Sequence, residues 1–214
     1  MKIIKADVEF VTPIDGRVIL KRLEQCGRVC YKSEDRITDT SAPAFVGSII
    51  KRGHEAVLEH CSFTVKFICD RGVSHEIVRH RLASYCQEST RYCNYGKCKF
   101  DAEITVIEPC FLRHGSDAYT CWDAACRNAE KAYFDMLACG CSPQEARAVL
   151  PSSLKTEVVM TANIREWRHF LRLRCAPAAH PQMREVAMIL LDKVHAMIPV
   201  CFDDIWEIYH ETAQ

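Results

Sequence analysis

Residues 79 to 91 read RHRLASYCQESTR, which sets Arg79, His80, Arg81 and Arg91 around the hydroxyls of Ser84, Ser89 and Thr90. Guanidinium groups are planar, permanently charged and able to grip phosphate or carboxylate in a bidentate fork, so the run suits a phosphorylated ligand better than a core. The same residues also read as a solvated basic face or as cations complementing a helix C-terminus. Downstream, residues 145–184 hold six arginines and one lysine against three glutamates. Arg147, Arg165 and Arg174 are each ordinary surface cations when taken singly. Together with Arg79, Arg81 and Arg91 they supply six fixed positive charges, more than solubility requires.

A second constellation is His54-Glu55-Ala56-Val57-Leu58-Glu59-His60. A zinc-protease helix needs HExxH or HxxEH, and neither spacing is met, so no metal is predicted. His54 is open to a functional role or to that of a satisfied polar residue after a helix stop. The chain has 14 cysteines but no CxxC pair, and most of the residues at Cys26 and Cys30, Cys93 and Cys98, Cys121 and Cys126, and Cys139 and Cys141 read as small core residues. MKIIKADVEF lacks the basic and apolar regions of a signal peptide, and no apolar run approaches a membrane span. The expectation is a cytoplasmic protein with reduced thiols and no membrane partner. With 28 basic and 28 acidic residues there is no global positive field, so nucleic acid is not a predicted partner.

The elements that must position these residues follow from periodicity. Residues 2–10 alternate with Ile4, Ala6, Val8 and Phe10 on one face, a half-buried strand; a helix then runs from Thr12-Pro13-Asp15 toward Cys30. A second helix starts near Ser41 and stops at Gly53. Cys61–Cys69 alternates as a strand, and Asp70-Arg71-Gly72 turns into a short helix that delivers Arg79, His80 and Arg81 at its end. Ser116 caps a long helix from Asp117 to Cys139 with a stripe through Ala118, Cys121, Trp122, Ala125, Ala129, Ala132, Tyr133 and Met136. Ser142-Pro143-Gln144-Glu145 is a capping box for a helix ending before Pro151. Residues 153–161 alternate as a strand, and Asn163 with Glu166 starts a helix with Ile164, Trp167, Phe170 and Leu171 as core and Arg165, Arg168, His169 and Arg172 mostly outside it. Helices near 181–198 and 204–211 end the chain. The pattern predicts one α+β domain over residues 1–214, with a small mixed or antiparallel sheet of four or five strands flanked by helices. There is no Rossmann GxGxxG fingerprint, so a bound nucleotide must be held by side chains.

Arg79-His80-Arg81, seven further residues and Ser89, extended through Ser84 and Arg91, form the RHR motif of the flavin-dependent thymidylate synthases, and the chain resembles that family. HExxxEH at 54–60, Arg147 ahead of a Leu-Pro, Asn163 with Arg165, and LRLR ending at Arg174 carry the similarity over residues 40–195. The resemblance implies reductive methylation of dUMP to dTMP, with 5,10-methylenetetrahydrofolate as carbon donor, NADPH as reductant and bound FAD as hydride carrier, in a homotetramer. It implies flavin contacts from His54, Ala56, Arg79, His80, Arg81, Gln87, Asn163, Arg165 and His169. It implies dUMP contacts from Glu76, Arg79, Gln87, Glu88, Ser89, Thr90, Arg91, Arg147 and Arg174, with Arg174 also the catalytic residue.

Three positions depart from many members: Gln is usual where Glu76 stands, Ser or Thr where Ala56 stands, and Asn-Glu where Cys86-Gln87 stands. They motivate an alternative, a nucleotide-binding module of the same fold that has lost turnover. A further alternative places a nucleophilic thiol at Cys110, which follows Pro109 as in the flavin-free synthases, although IEPCFLRH offers nothing else of that signature.

Overall fold

The computed structural model describes residues 1–97, 100 and 102–211. Strict alternation produces its two longest strands, β3 (Ser62–Asp70) and β6 (Lys155–Asn163). Phe63, Val65, Phe67 and Cys69 point inward from the first, and Thr156, Val158, Met160 and Ala162 from the second. The remaining strands are β1 (Lys2–Ile4), β2 (Asp7–Phe10), β4 (Ala83–Gln87) and β5 (Thr105–Ile107). Four of them form a sheet in the order β2-β3-β6-β4, while β1 pairs in parallel with β5, with Lys2 opposite Thr105. The fold is mixed α+β, with a small antiparallel sheet flanked by helices.

The chain divides into two compact units. The first comprises Met1–Asp7, Phe67–Arg79 and Cys86–Val159. Its helices are α3 (Arg71–Ile77), α4 (Asp117–Ala138) and the single turn α5 (Pro143–Ala146), which runs on into a 3-10 turn at Arg147–Val149. Tyr95, Ile104, Val106, Cys126, Tyr133, Ala146 and Leu154 form its core cluster. The capping box at Ser142 is present in full, with Glu145 reaching back to the Ser142 N–H at 2.8 Å.

The second unit comprises Val8–Lys66, His80–Tyr85 and the segment from Met160 onward. It contains α1 (Gly16–Val29), α2 (Ala42–Lys51), a 3-10 segment (Glu55–His60), α6 (Ile164–Arg174), α7 (Pro181–Met197) and α8 (Pro199–Glu211). Trp167 stacks on Phe63 with ring centroids 5.0 Å apart, and its indole N–H donates to the Phe63 carbonyl. Gly27 lets α1 approach α2, since a Cβ there would lie 2.6 Å from the Phe45 ring. Gly53 ends α2 with φ of +72°, a conformation that costs glycine little, and so sets the entry of His54.

Several expectations are corrected. The strand foreseen over residues 2–10 is two strands that join different sheets, with the break at Lys5-Ala6. Asp70 is not in a turn but is the N-cap of α3, its carboxylate accepting from the Val73 N–H at 2.7 Å. The apolar stripe of α4 is displaced: Tyr119, Cys126 and Tyr133 are buried, while Ala118, Cys121 and Ala125 are exposed. Alanine is too small to define a face against the two tyrosine rings. The last helix begins at Pro199, five residues before the expected start. Strand β4, lying inside the basic run, was not foreseen, because ASYCQ has neither a charged nor an apolar alternation. Of the cysteines in those pairs, Cys126 alone is buried among those described, and the other buried thiols are Cys61, Cys69, Cys175 and Cys201. Burial pushes Cys69, Cys175 and Cys201 up to about 12, which keeps them protonated and inert.

Candidate active site

In the second unit the site is built on α6. Asn163 caps this helix, its side-chain oxygen accepting from the Glu166 N–H at 2.9 Å. The Glu166 carboxylate reaches the buried ring of His80, with 3.0 Å between Oε1 and Nδ1. On the other side of that ring, Arg174 Nε donates to His80 Nε2 at 3.1 Å. A guanidinium N–H can only donate, so Nε2 must be the bare nitrogen, and the proton sits on Nδ1, where it is donated to Glu166. The three side chains form a directed chain, Glu166–His80–Arg174, in which the imidazole is neutral. Burial lowers the His80 pKa; Glu166 opposes the shift and the Arg174 charge adds to it. Phe170 packs on the His80 ring at 4.8 Å, and the Tyr85 hydroxyl donates to the His80 carbonyl.

His80, Glu166 and His169 also lie close enough for their ligand atoms to surround an ion, all within 4.8 Å. Both nitrogens of His80 are engaged, however, and one faces a fixed cation, which opposes a second positive charge. His80 and Glu166 belong to a hydrogen-bond network, and His169 meets the His80 ring edge-on with centroids 5.6 Å apart.

Around this network the other predicted residues of the unit fall into two kinds. Arg81, His54, Ala56 and His169 are exposed, and His54 Nδ1 meets the Tyr31 hydroxyl at 3.0 Å. Arg165 is also exposed, but pairs with Glu59 at 2.6 Å, and Glu55 lies 4.0 Å away. Arg168, expected outside the core, is fully buried. It donates to both oxygens of Asp204 at 2.8 Å, to the Cys201 carbonyl and to Glu55 at 3.4 Å. Burial alone pushes the Asp204 carboxyl up, but Arg168 and Arg172 hold it below its ordinary value. The acidic residues of the HExxxEH segment therefore serve arginines of α6.

The first unit gathers the residues at the far end of the basic run. Gln87 Nε2 donates to Ser74 Oγ at 2.9 Å and to Thr156 Oγ1 at 3.3 Å, so its amide is oriented by two hydroxyls. The Glu88 N–H donates to the Glu157 carbonyl, and its carboxylate accepts from Lys155 at 3.0 Å and from the Tyr95 hydroxyl at 3.4 Å. Two carboxylates, Glu88 and Glu157, hold Lys155 above its ordinary pKa although burial alone lowers it. Ser89 Oγ accepts from the Arg91 N–H at 3.3 Å, which closes a turn, and Arg147 donates to the buried Thr90 hydroxyl at 3.2 Å. Arg79 and Arg91 are exposed, and Glu76 is half-buried.

The family model described as thymidylate synthase complementing protein matches residues 19–200. Curated relatives are flavin-dependent thymidylate synthases. That of Pyrococcus abyssi is 34% identical over 76% of this chain and 66% of its own length. That of Geobacter sulfurreducens is 33% identical over 83% and 78%, and that of Corynebacterium glutamicum 32% over 93% and 84%. The chain belongs to the flavin-dependent thymidylate synthase family. A crystal structure of the UMP/dUMP methylase PolB from Streptomyces cacaoi, bound with 5-Br dUMP, shares the fold, with a TM-score of 0.76 over 95% of this chain and 96% of that one at 24% identity.

The RHR motif of the flavin-dependent thymidylate synthases is divided by the structure. Arg79 and Arg81 are exposed, whereas His80 is buried with 4% of its surface accessible. Reasoning from sequence missed Glu166, Lys155 and Tyr31. Glu166 was legible only as a capping residue, because Asn-x-x-Glu gives the helix start and not the second use of the carboxylate. Nothing in the sequence near Lys155 or Tyr31 signals their partners.

Proposed function

We propose that this protein catalyses the reductive methylation of dUMP to dTMP, with 5,10-methylenetetrahydrofolate as carbon donor, NADPH as reductant and bound FAD. The observation that carries this is the Glu166–His80–Arg174 chain at the heart of the family's motif. The His80 ring, itself held by Glu166, fixes the orientation of the Arg174 guanidinium. Negative charge that develops on uracil as C5 attacks carbon is the kind of charge that a preorganised guanidinium stabilises, and Arg174 takes that role. It cannot act as a base.

The donor set of the second unit fits a flavin dinucleotide. Exposed Arg81, His54, His169 and Arg165 offer cationic and ring N–H groups suited to a pyrophosphate and a polar ring system. With Arg79, Ala56, His80, Asn163 and Gln87 they form the proposed cofactor set. When bound, the flavin supplies hydride transfer. Glu76, Arg79, Gln87, Glu88, Ser89, Thr90, Arg91, Arg147 and Arg174 form the proposed dUMP set. Within it Lys155 and Tyr95 fix the Glu88 carboxylate, and Ser74 and Thr156 orient the Gln87 amide. Glu166 is a positioning residue, because it sets the His80 tautomer that receives Arg174.

The chain passes back and forth between the two units, each being made of three chain segments, which supports a single domain over residues 1–214. Association as a homotetramer belongs to the same proposal, as does a cytoplasmic location; among the described residues no helix is long and apolar enough to cross a membrane. The decisive test is a spectrum of the purified protein together with dUMP-stimulated NADPH oxidation. Bound flavin and dTMP formation are the expected results. A colourless protein that takes up no added FAD overturns the proposal. Tight dUMP binding with FAD, NADPH and the folate present but no dTMP formed would favour a binding module, to which the changes at Ala56, Glu76 and Gln87 point.

A further inference from the structure

In the second unit a cavity of 410 Å³ opens where the C-terminal ends of α1 and α2 meet the turn at Glu34–Arg36. That volume lies in the range of small-molecule sites. Four cations line it, Arg28, Lys32, Arg36 and Arg52, against one carboxylate, Asp35. Arg28 is committed elsewhere: it pairs with the buried Glu24 at 2.8 Å and lies 4.5 Å above the Phe45 ring, which makes it a rigid, electrically balanced part of the wall. Lys32, Arg36 and Arg52 are exposed, and no ion-pair partner is found for them among the described residues.

Cations beside helix C-termini are ordinary, so the helix ends must be subtracted. Each C-terminus contributes about half a negative charge. Three free cations less Asp35 and two helix ends leave an excess of about one positive charge on a concave wall. A structural role in capping the two helices accounts for part of the cluster but not for this surplus. The wall is also tied to the proposed active site, because Tyr31, which lines the cavity, meets His54 Nδ1 at 3.0 Å.

We propose that this cavity is an anion subsite that receives the phosphate or carboxylate groups of a co-substrate. The co-substrate's identity rests on the proposed function; the anion site does not.

The test uses the full chain saturated with FAD and dUMP, so that their phosphate sites are filled, and inorganic pyrophosphate as the probe in calorimetric titration. The variant Arg36→Ala/Arg52→Ala should bind pyrophosphate roughly tenfold more weakly, the scale of losing exposed charge-assisted hydrogen bonds. Arg113→Ala, which removes an exposed cation from the first unit, should bind as the wild type does. Equal affinities in the double variant and the Arg113→Ala control overturn the proposal. Steady-state kinetics then separate the sources. A several-fold higher KM for NADPH, with kcat and the KM for dUMP unchanged, identifies phosphate; the same shift for methylenetetrahydrofolate, larger for its polyglutamylated form, identifies carboxylate. Unchanged KM for both overturns the co-substrate role. Pyrophosphate binding stays measurable in a protein without turnover, so failure of the proposed function and failure of the subsite give different results.

Discussion

Helix α6 carries two kinds of arginine, and their surroundings separate them. Arg168 is fully buried, and Arg172 is on the surface, yet both end on carboxylates, Asp204 and Glu55. At the C-terminal end of the same helix, Arg174 ends on a neutral imidazole whose other nitrogen is turned toward Glu166. The first pair is neutralised and ties α6 to α8 and to the 3-10 segment. Arg174 has a position defined by the His80 ring. The residue type is the same, and the groups across the hydrogen bonds differ: carboxylates tie Arg168 and Arg172 to neighbouring elements, whereas a neutral ring orients Arg174.

That contrast is broken most severely at its buried member. Arg168→Met should cost about 3 kcal/mol in denaturant-melt stability, because Asp204 and Glu55 lose their principal cation inside the protein. A loss below about 1 kcal/mol would place Arg168 with ordinary surface pairs. Arg174→Ala should leave the melting transition in place and lower kcat on the order of a hundredfold or more, the usual cost of removing preorganised charge stabilisation. Arg174→Lys should recover only part of it, since the ammonium lacks the planar fork. Unchanged turnover in the alanine variant would remove Arg174 from catalysis.

A smaller effect sharpens the role of the imidazole. His80 must stay neutral to receive Arg174, so kcat should fall on the acid side as His80 is protonated. Because the Glu166 carboxylate raises the His80 pKa against burial, Glu166→Gln should move that acid limb to lower pH, with turnover reduced about tenfold at most. An acid limb that stays put assigns it to another group. The sign for stability is the same: the folded pKa lies below the unfolded value near 6.5, so this contribution is present above pH 6.5 and lost as pH falls below it. The smallest effects are controls. Arg172→Ala should cost less than about 1 kcal/mol, as its charge is solvated. Cys110→Ala should retain full turnover, and a large loss would restore the nucleophilic thiol.

Long periodic elements were legible in the sequence because burial selects residue type along them at fixed intervals. β3, β6 and the core face of α6 follow that rule, with Phe63, Val65, Met160 and Trp167 all buried. Short elements failed for the converse reason. β4 has five residues of mixed character, and α5 is a single turn whose capping box promised a longer helix. The α4 stripe failed because small residues occur equally on both faces of a helix packed by Tyr119 and Tyr133.

By itself the sequence determined the spacing of Arg79, His80, Arg81, Ser89 and Arg91, and with it the family, because covalent order carries a motif unchanged into the fold. It also determined the helix starts at Asp15, Asn163 and Ser142, where cap and backbone are only two or three residues apart. Tertiary structure alone decided that His80 is buried, that its bare nitrogen faces Arg174, and that Arg168 belongs to the core. Those facts depend on partners 86, 94 and 36 residues away, and no local pattern encodes which side chain waits at the far end of such a separation.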